Sequence, residues 1–81
     1  MKTYLIICQL GFPEETYTKL VAYLKTATYW ARPMTSTWLI KTTRDVAKIR
    51  DGVRERINST DKVLVIAVPN KDWATSNVAK A

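Results

Sequence analysis

Tyr4-Leu5-Ile6-Ile7-Cys8-Gln9-Leu10 is an apolar run interrupted only by an amide. Gly11, Phe12 and Pro13 follow it, and Pro13 suits the first position of a helix. A short apolar run that stops at a glycine and hands over to a helix reads as the first strand of an α+β domain, here over Lys2–Leu10. Its face pattern is unusual. A strand with one solvated side alternates apolar and polar residues, whereas here Tyr4, Ile6 and Cys8 stand opposite Leu5 and Ile7. Gln9 closes the strand. In small folds of this kind the C-terminal end of the first strand is a common place to mount a catalytic carboxylate. An amide there can hydrogen-bond, but it neither holds a divalent cation well nor takes a proton.

Working outward, Glu14 and Glu15 sit where the positive end of a helix favours carboxylates. Tyr17, Leu20, Val21 and Leu24 continue at spacings of three and four, giving one apolar helical stripe that ends near Lys25 or Thr26. Thr28–Pro33 is a short aromatic strand that Pro33 demotes to an edge or a bulge. Thr35–Lys41 is a stronger strand, joined to it by a hairpin around Met34. Thr42 or Thr43 is placed to cap a second helix, with Asp45 in its first turn and Val46, Ile49, Val53 and Ile57 as its buried stripe. Gly52 lies inside that helix, at a cost of about 1 kcal/mol against alanine. Asn58-Ser59-Thr60-Asp61 is a turn, and Lys62–Val68 is the last strong strand, closed by Pro69.

The order βαββαβ predicts a ferredoxin-like α+β domain over residues 1–69, a four-stranded antiparallel sheet with two helices on one face. The right-handed crossover rule puts the first and third strands side by side in the centre. Residues 70–81, polar and small apart from Trp73, read as a C-terminal tail or an arm lying on a partner. The last strand repeats the anomaly of the first: Val63, Val65 and Ala67 point one way, Leu64, Ile66 and Val68 the other. Two helices cover only one face, so the pattern predicts a second copy of the chain, packed face to face or edge to edge.

Composition narrows the chemistry. The chain has 81 residues, and a domain of this size is marginal by itself. Cys8 is the sole cysteine, which excludes an intrachain disulfide, and its place in an apolar strand marks a small core residue in a reducing cytoplasm. The absence of histidine excludes histidine-based triads, zinc sites and an imidazole general base. With only Gly11 and Gly52 there is no glycine-rich phosphate loop. No stretch approaches the roughly 18 apolar residues of a membrane span, and no cleavable leader is visible. Thirteen Lys and Arg against seven Asp and Glu give a net charge of +6, which favours an anionic partner: nucleic acid, a nucleotide signal or an acidic protein surface.

The binding candidates follow from that charge. Arg44, Lys48 and Arg54 belong to the second helix and its approach, where Arg50–Arg54 is also a like-charge pair four residues apart. Arg32 lies among Tyr29, Trp30 and Trp38, and rings beside guanidinium groups are the chemistry of single-strand or nucleotide binding. The alternative for Trp30 and Trp38 is core or interface anchoring. Gln9 is expected near a dimer axis as a hydrogen-bonding group. No catalytic residue, metal ligand or cofactor is assigned.

The segments YLIICQL, STWLIKT and DKVLVIAVPNKDWA together resemble short bacterial and phage proteins labelled SinR-like, relatives of the small CRISPR-associated endoribonuclease that partners the adaptation integrase and of the virulence-associated protein D ribonucleases. The resemblance spans about residues 2–74 and implies a ferredoxin-like homodimer. Its nuclease members carry an aspartate at the end of the first strand, one per subunit, meeting across the dimer axis to hold a metal. In this chain the matching position is Gln9. The resemblance therefore implies a scaffold reused as a binder, of the kind that phage-encoded inhibitors of bacterial defence employ. The alternative it leaves is a metal-dependent endoribonuclease that recruits Asp45 or Asp72 in place of the missing carboxylate.

Overall fold

A computed structural model of the chain describes residues 1–68 and, as backbone, 79–80. Lys2–Gln9 forms β1, Thr37–Thr42 forms β3 and Lys62–Val68 forms β4. Tyr29–Met34 forms β2, with an irregularity between Ala31 and Met34 where Pro33 can donate no ladder hydrogen bond. The sheet runs β4-β1-β3-β2, every neighbouring pair antiparallel, with the first and third strands central as the crossover rule requires. Ala79–Lys80 adds a fifth strand, β5, antiparallel to the outer edge of β2. The C-terminal segment expected as a tail or arm thus returns to the sheet at these two residues; Trp73 and the rest of 69–78 lie outside the described residues.

The first helix does not start as the sequence implies. Glu14–Tyr17 is a 3-10 turn, and α1 proper is Thr18–Leu24. Its buried side is Tyr17, Leu20 and Leu24. Helix α2 is Val46–Arg54, shorter than the stripe suggested, and Ile57 still packs on the core from beyond its end. The cap is Asp45 rather than a threonine: its Oδ1 accepts the Lys48 backbone N–H at 2.9 Å. Thr42 instead accepts the Arg44 N–H through its hydroxyl at 3.3 Å, one turn of chain earlier.

The core lies between the helices and one sheet face. Tyr4, Ile6 and Cys8 from β1, Trp38 and Ile40 from β3, and Ile49 and Val53 from α2 are buried together. The opposite face carries no helix among the described residues; Thr3, Thr37 and Ala31 on it are buried, and its β1–β4 side is apolar and exposed. Leu5 stands across from Ile66 and Ile7 across from Leu64, because residues paired across antiparallel strands share a face. On that face Ile7 is 40 % exposed, Leu64 53 % and Ile66 41 %. No helix among the described residues is long and apolar enough to cross a membrane.

Candidate anion-binding surface

The basic residues do not form one patch. Helix α2 presents two flanks, on either side of the buried stripe Ile49, Gly52 and Val53. On the flank beside β4, Arg50 and Arg54 stand one turn apart, the i,i+4 spacing that places two side chains on one side of a helix. With Lys62 at the start of β4 they line an open groove of about 680 Å³, which Asn58 and Ser59 complete. Arg50 makes a surface ion pair with Asp51 at 3.1 Å, while Arg54 and Lys62 are exposed with no ion pair among the described residues. Three cations with fewer carboxylates beside them leave a net positive potential, which is what a phosphate-binding groove requires.

Among the described residues the groove contains one carboxylate, Asp61, and its hydrogen-bonding capacity is taken. Asp61 accepts the Gly11 N–H at 2.8 Å on Oδ1, and on Oδ2 the Tyr17 hydroxyl at 2.7 Å, the Asn58 N–H at 2.9 Å and the Asn58 Nδ2 at 3.4 Å. Desolvation pushes its pKa up, but the hydrogen bonds from Asn58, Tyr17 and Gly11 outweigh this and hold the carboxyl below its ordinary value. Asp61 therefore latches the start of β4 to the end of β1 and the 3-10 turn. The sequence marked it only as a turn residue, since its partners lie up to 50 positions away.

The flank facing α1 holds Arg44 and Lys48. Here the chemistry is largely internal. The Arg44 carbonyl accepts the Tyr4 hydroxyl at 2.8 Å, and its guanidinium reaches Thr26 Oγ1 at 3.0 Å and lies 5.1 Å from the Tyr23 ring centroid. Arg56 lies over the same ring at 4.2 Å and donates to the Gly52 carbonyl at 2.8 Å. Gly52 permits this packing, because a Cβ there would overlap the hydroxyl and ring of Tyr23. Lys48 is exposed beside them. Arg44 is thus half committed to structure, and Lys48 is the free charge of this flank.

Trp30 and Trp38 lie on the helix-covered face of the sheet with Ile40 and Ile6, and with Arg32 they occupy its β2 side, away from the β4 edge that flanks the α2 groove. Arg32 stacks on Trp38 at 4.9 Å, donates from Nε and Nη2 to the Thr35 carbonyl at 3.1 and 2.8 Å, and pairs with Glu14 at 2.8 Å. It clamps the β2–β3 turn to the 3-10 turn. Trp38 is only 2 % exposed. It offers no face to bulk solvent, so of its two sequence readings the core role is the one its burial fits. Trp30 is half-buried, 5.7 Å from Trp38 at 51° between planes, and covered by the Lys25 ammonium at 5.0 Å.

Below Arg32 a cleft of about 170 Å³ opens between α1 and the β2–β3 turn. Its floor is apolar, formed by Cys8, Leu20, Val21 and Trp38, and Phe12 stands at its side. Burial, with a smaller contribution from the Asp61 charge, pushes the Cys8 thiol up to about 11, so it is a neutral wall and no nucleophile at physiological pH. Gln9 ends β1 on the sheet face away from the helices, exposed and in register with Lys62. Asp45 is engaged as the α2 cap, Asp72 lies outside the described residues, and no three of Cys, Asp and Glu come together among the described residues. Comparison with protein-family models, curated proteins and solved structures returned no match.

Proposed function

We propose that the chain is a non-catalytic binding protein for single-stranded nucleic acid or nucleotides, acting as a homodimer. The observation that carries the anionic ligand is the groove beside α2, lined by Arg50 and Arg54 from the helix and by Lys62 at the first position of β4, three cations against the carboxylate of Asp61. The homodimer rests on the apolar sheet face of Leu5, Ile7, Leu64 and Ile66. Small domains gain stability by covering such a face. The resemblance to SinR-like proteins points to the same assembly, with Gln9 where the nuclease relatives mount their metal-binding aspartate. An inhibitor of bacterial defence would use the same groove, either against nucleic acid or against an acidic protein surface.

Fluorescence anisotropy with a short labelled single-stranded RNA tests this reading. Three phosphate contacts give a salt slope of about −2 for a single strand, so affinity should fall about 20-fold between 50 and 200 mM salt. Arg54→Glu and Lys62→Glu should each weaken binding further, whereas Lys19→Glu on α1 should not. Affinity that is flat with salt and indifferent to the groove variants rejects it. Incubating the same RNA with Mg²⁺ or Mn²⁺ addresses the endoribonuclease alternative: cleavage lost in Asp45→Ala or Asp72→Ala would replace binding by catalysis.

A further inference from the structure

The cleft below Arg32 and the basic groove lie at the same end of the sheet. Strand β1 finishes there, the 3-10 turn begins there, the β2–β3 turn lies there, and α2 ends where β4 begins. Hydrogen bonds at the Tyr17 hydroxyl join the two sites: Tyr17 lines the cleft, Asp61 and Asn58 line the groove, and the hydroxyl donates to Asp61 at 2.7 Å and accepts from Asn58 Nδ2 at 3.5 Å. A ligand with an apolar ring and a phosphate a few bonds apart matches that arrangement. We infer that the cleft seats the base of a pyrimidine nucleotide whose phosphate lies in the Arg50–Arg54–Lys62 groove, an assignment that rests on the nucleotide-binding reading above.

The size and lining select the ring. A cavity of about 150 Å³ with apolar walls accommodates a benzene molecule, so 170 Å³ fits one six-membered ring and is tight for a fused purine. Cys8, Leu20 and Trp38 are almost wholly buried beneath the cleft, so the apolar contact open to a base comes from half-buried Val21 and exposed Phe12. The rim suits its edge. Arg32 spends Nε and Nη2 on Thr35 and Glu14, which leaves Nη1 as a donor without a bond among the described residues. Glu14 supplies an acceptor beside it, and the Ser36 hydroxyl serves as either. A neighbouring donor and acceptor is the pattern of a pyrimidine's Watson–Crick edge. Because Arg32 and Glu14 neutralise each other, the cleft selects a neutral ring rather than a second phosphate. Phe12 explains itself in the same terms. Its backbone N–H is tied to the Tyr17 hydroxyl at 3.2 Å, while its ring stays 52 % exposed beside the cleft, where it is placed to cover a bound base.

Calorimetric titration with uridine, uridine monophosphate, ribose 5-phosphate and guanosine monophosphate at low salt tests the assignment. Uridine monophosphate should bind at least about tenfold tighter than ribose 5-phosphate, the contribution of one stacked base. Guanosine monophosphate should gain little over ribose 5-phosphate. Val21→Phe, which fills the cleft from α1, should erase the advantage of uridine monophosphate and leave ribose 5-phosphate binding unchanged; Ser36→Tyr blocks the exposed rim and gives the same result should Val21→Phe fail to fold. Arg54→Glu should weaken both phosphate ligands and spare uridine. Five-nucleotide RNAs ending in uridine or guanosine separate a free nucleotide from a strand end as the source: a preference for the uridine end assigns the cleft to a strand terminus, and binding of the monophosphate alone assigns it to a free nucleotide. Equal affinity for uridine monophosphate and ribose 5-phosphate overturns the base site and leaves the anion-binding reading standing. Equal affinity for the two nucleotides overturns the pyrimidine preference. Failure of ribose 5-phosphate, both nucleotides and both RNAs to bind overturns the two readings together.

Discussion

Two residues show how far a single position reaches in this molecule. Asp61 is one, since its four hydrogen bonds tie the start of β4 to Gly11, Tyr17 and Asn58. Its folded pKa lies below the ordinary value, so the unfolded chain binds its proton more readily. The stability it contributes is complete above the unfolded carboxyl pKa of about 4 and is lost as pH falls through the lower folded value. Asp61→Asn should therefore lower the melting temperature at pH 7 and flatten the acid limb of the stability profile below about pH 4; a variant whose melting temperature tracks the parent at every pH would show that the latch carries nothing. Gly52 is the other. Helix propensity says Gly52→Ala gains about 1 kcal/mol. The Cβ, however, would overlap Tyr23, whose ring is held by Arg44 and Arg56. Overpacking of that kind costs about 1–3 kcal/mol, so Gly52→Ala should be destabilising by about 1 kcal/mol net. In a Tyr23→Ala background the same change should turn stabilising. Urea denaturation of the four proteins of this cycle reads the sign directly, and stabilisation by Gly52→Ala in the parent would place Tyr23 elsewhere.

At the scale of elements, the strands were the legible part and the joints were not. β1, β3 and β4 announce themselves because their apolar content is intrinsic to each segment. The start of α1 is not legible because Pro13, Glu14 and Glu15 suit an α-helix and a 3-10 turn equally; the turn ends at Tyr17, whose hydroxyl reaches across to Asp61. The cap of α2 moved from a threonine to Asp45 because Thr42 is drawn into β3, where it pairs with Lys2. β5 was missed because two residues give no periodicity to read. Arg32 belongs with these joints: nothing local ties it to Glu14 or fixes it on Trp38. Its removal should loosen the β2–β3 turn from the 3-10 turn. The pair with exposed Glu14 contributes little by itself, but the two charge-assisted bonds to the Thr35 carbonyl and the cover over Trp38 add to it. Arg32→Ala should cost about 1–2 kcal/mol by urea denaturation, and Glu14→Gln less than about 1 kcal/mol. A Glu14→Gln loss as large as that of Arg32→Ala would mean that the ion pair, and not the hydrogen bonds, is the clamp.

For the whole molecule, the informative mismatch is between the number of apolar faces and the number of layers. Single-sequence reading recovered it, because strands apolar on both sides are visible residue by residue in Tyr4–Cys8 and Val63–Val68. It recovered the candidate cations less well: Arg32, Arg44, Lys48 and Arg54 fall in three different places, and the convergent set adds Arg50 and Lys62 to Arg54 alone. Spacing along one helix assigns a flank, whereas the meeting of that flank with the start of β4, eight residues beyond Arg54, depends on how the turn between them folds. The exposed apolar side of this face is where the proposed dimer is tested. Leu64 and Ile66 sit on the edge strand β4, facing away from the helices, and lie next to Ile7 and Leu5 on β1. Their exposure means that lysine can replace them with little loss of core packing, so a Leu64→Lys, Ile66→Lys double variant should keep the melting temperature of an isolated subunit while setting two charges in the contact. Sedimentation velocity at micromolar concentration should give a dimer for the parent and a monomer for the variant. Because an added charge also raises affinity for nucleic acid, the groove variant Arg54→Glu serves as the control: it should weaken RNA binding and leave the dimer intact. A parent that sediments as a monomer would assign the apolar face to some other cover. A double variant that stays dimeric would move the contact away from this face of the sheet.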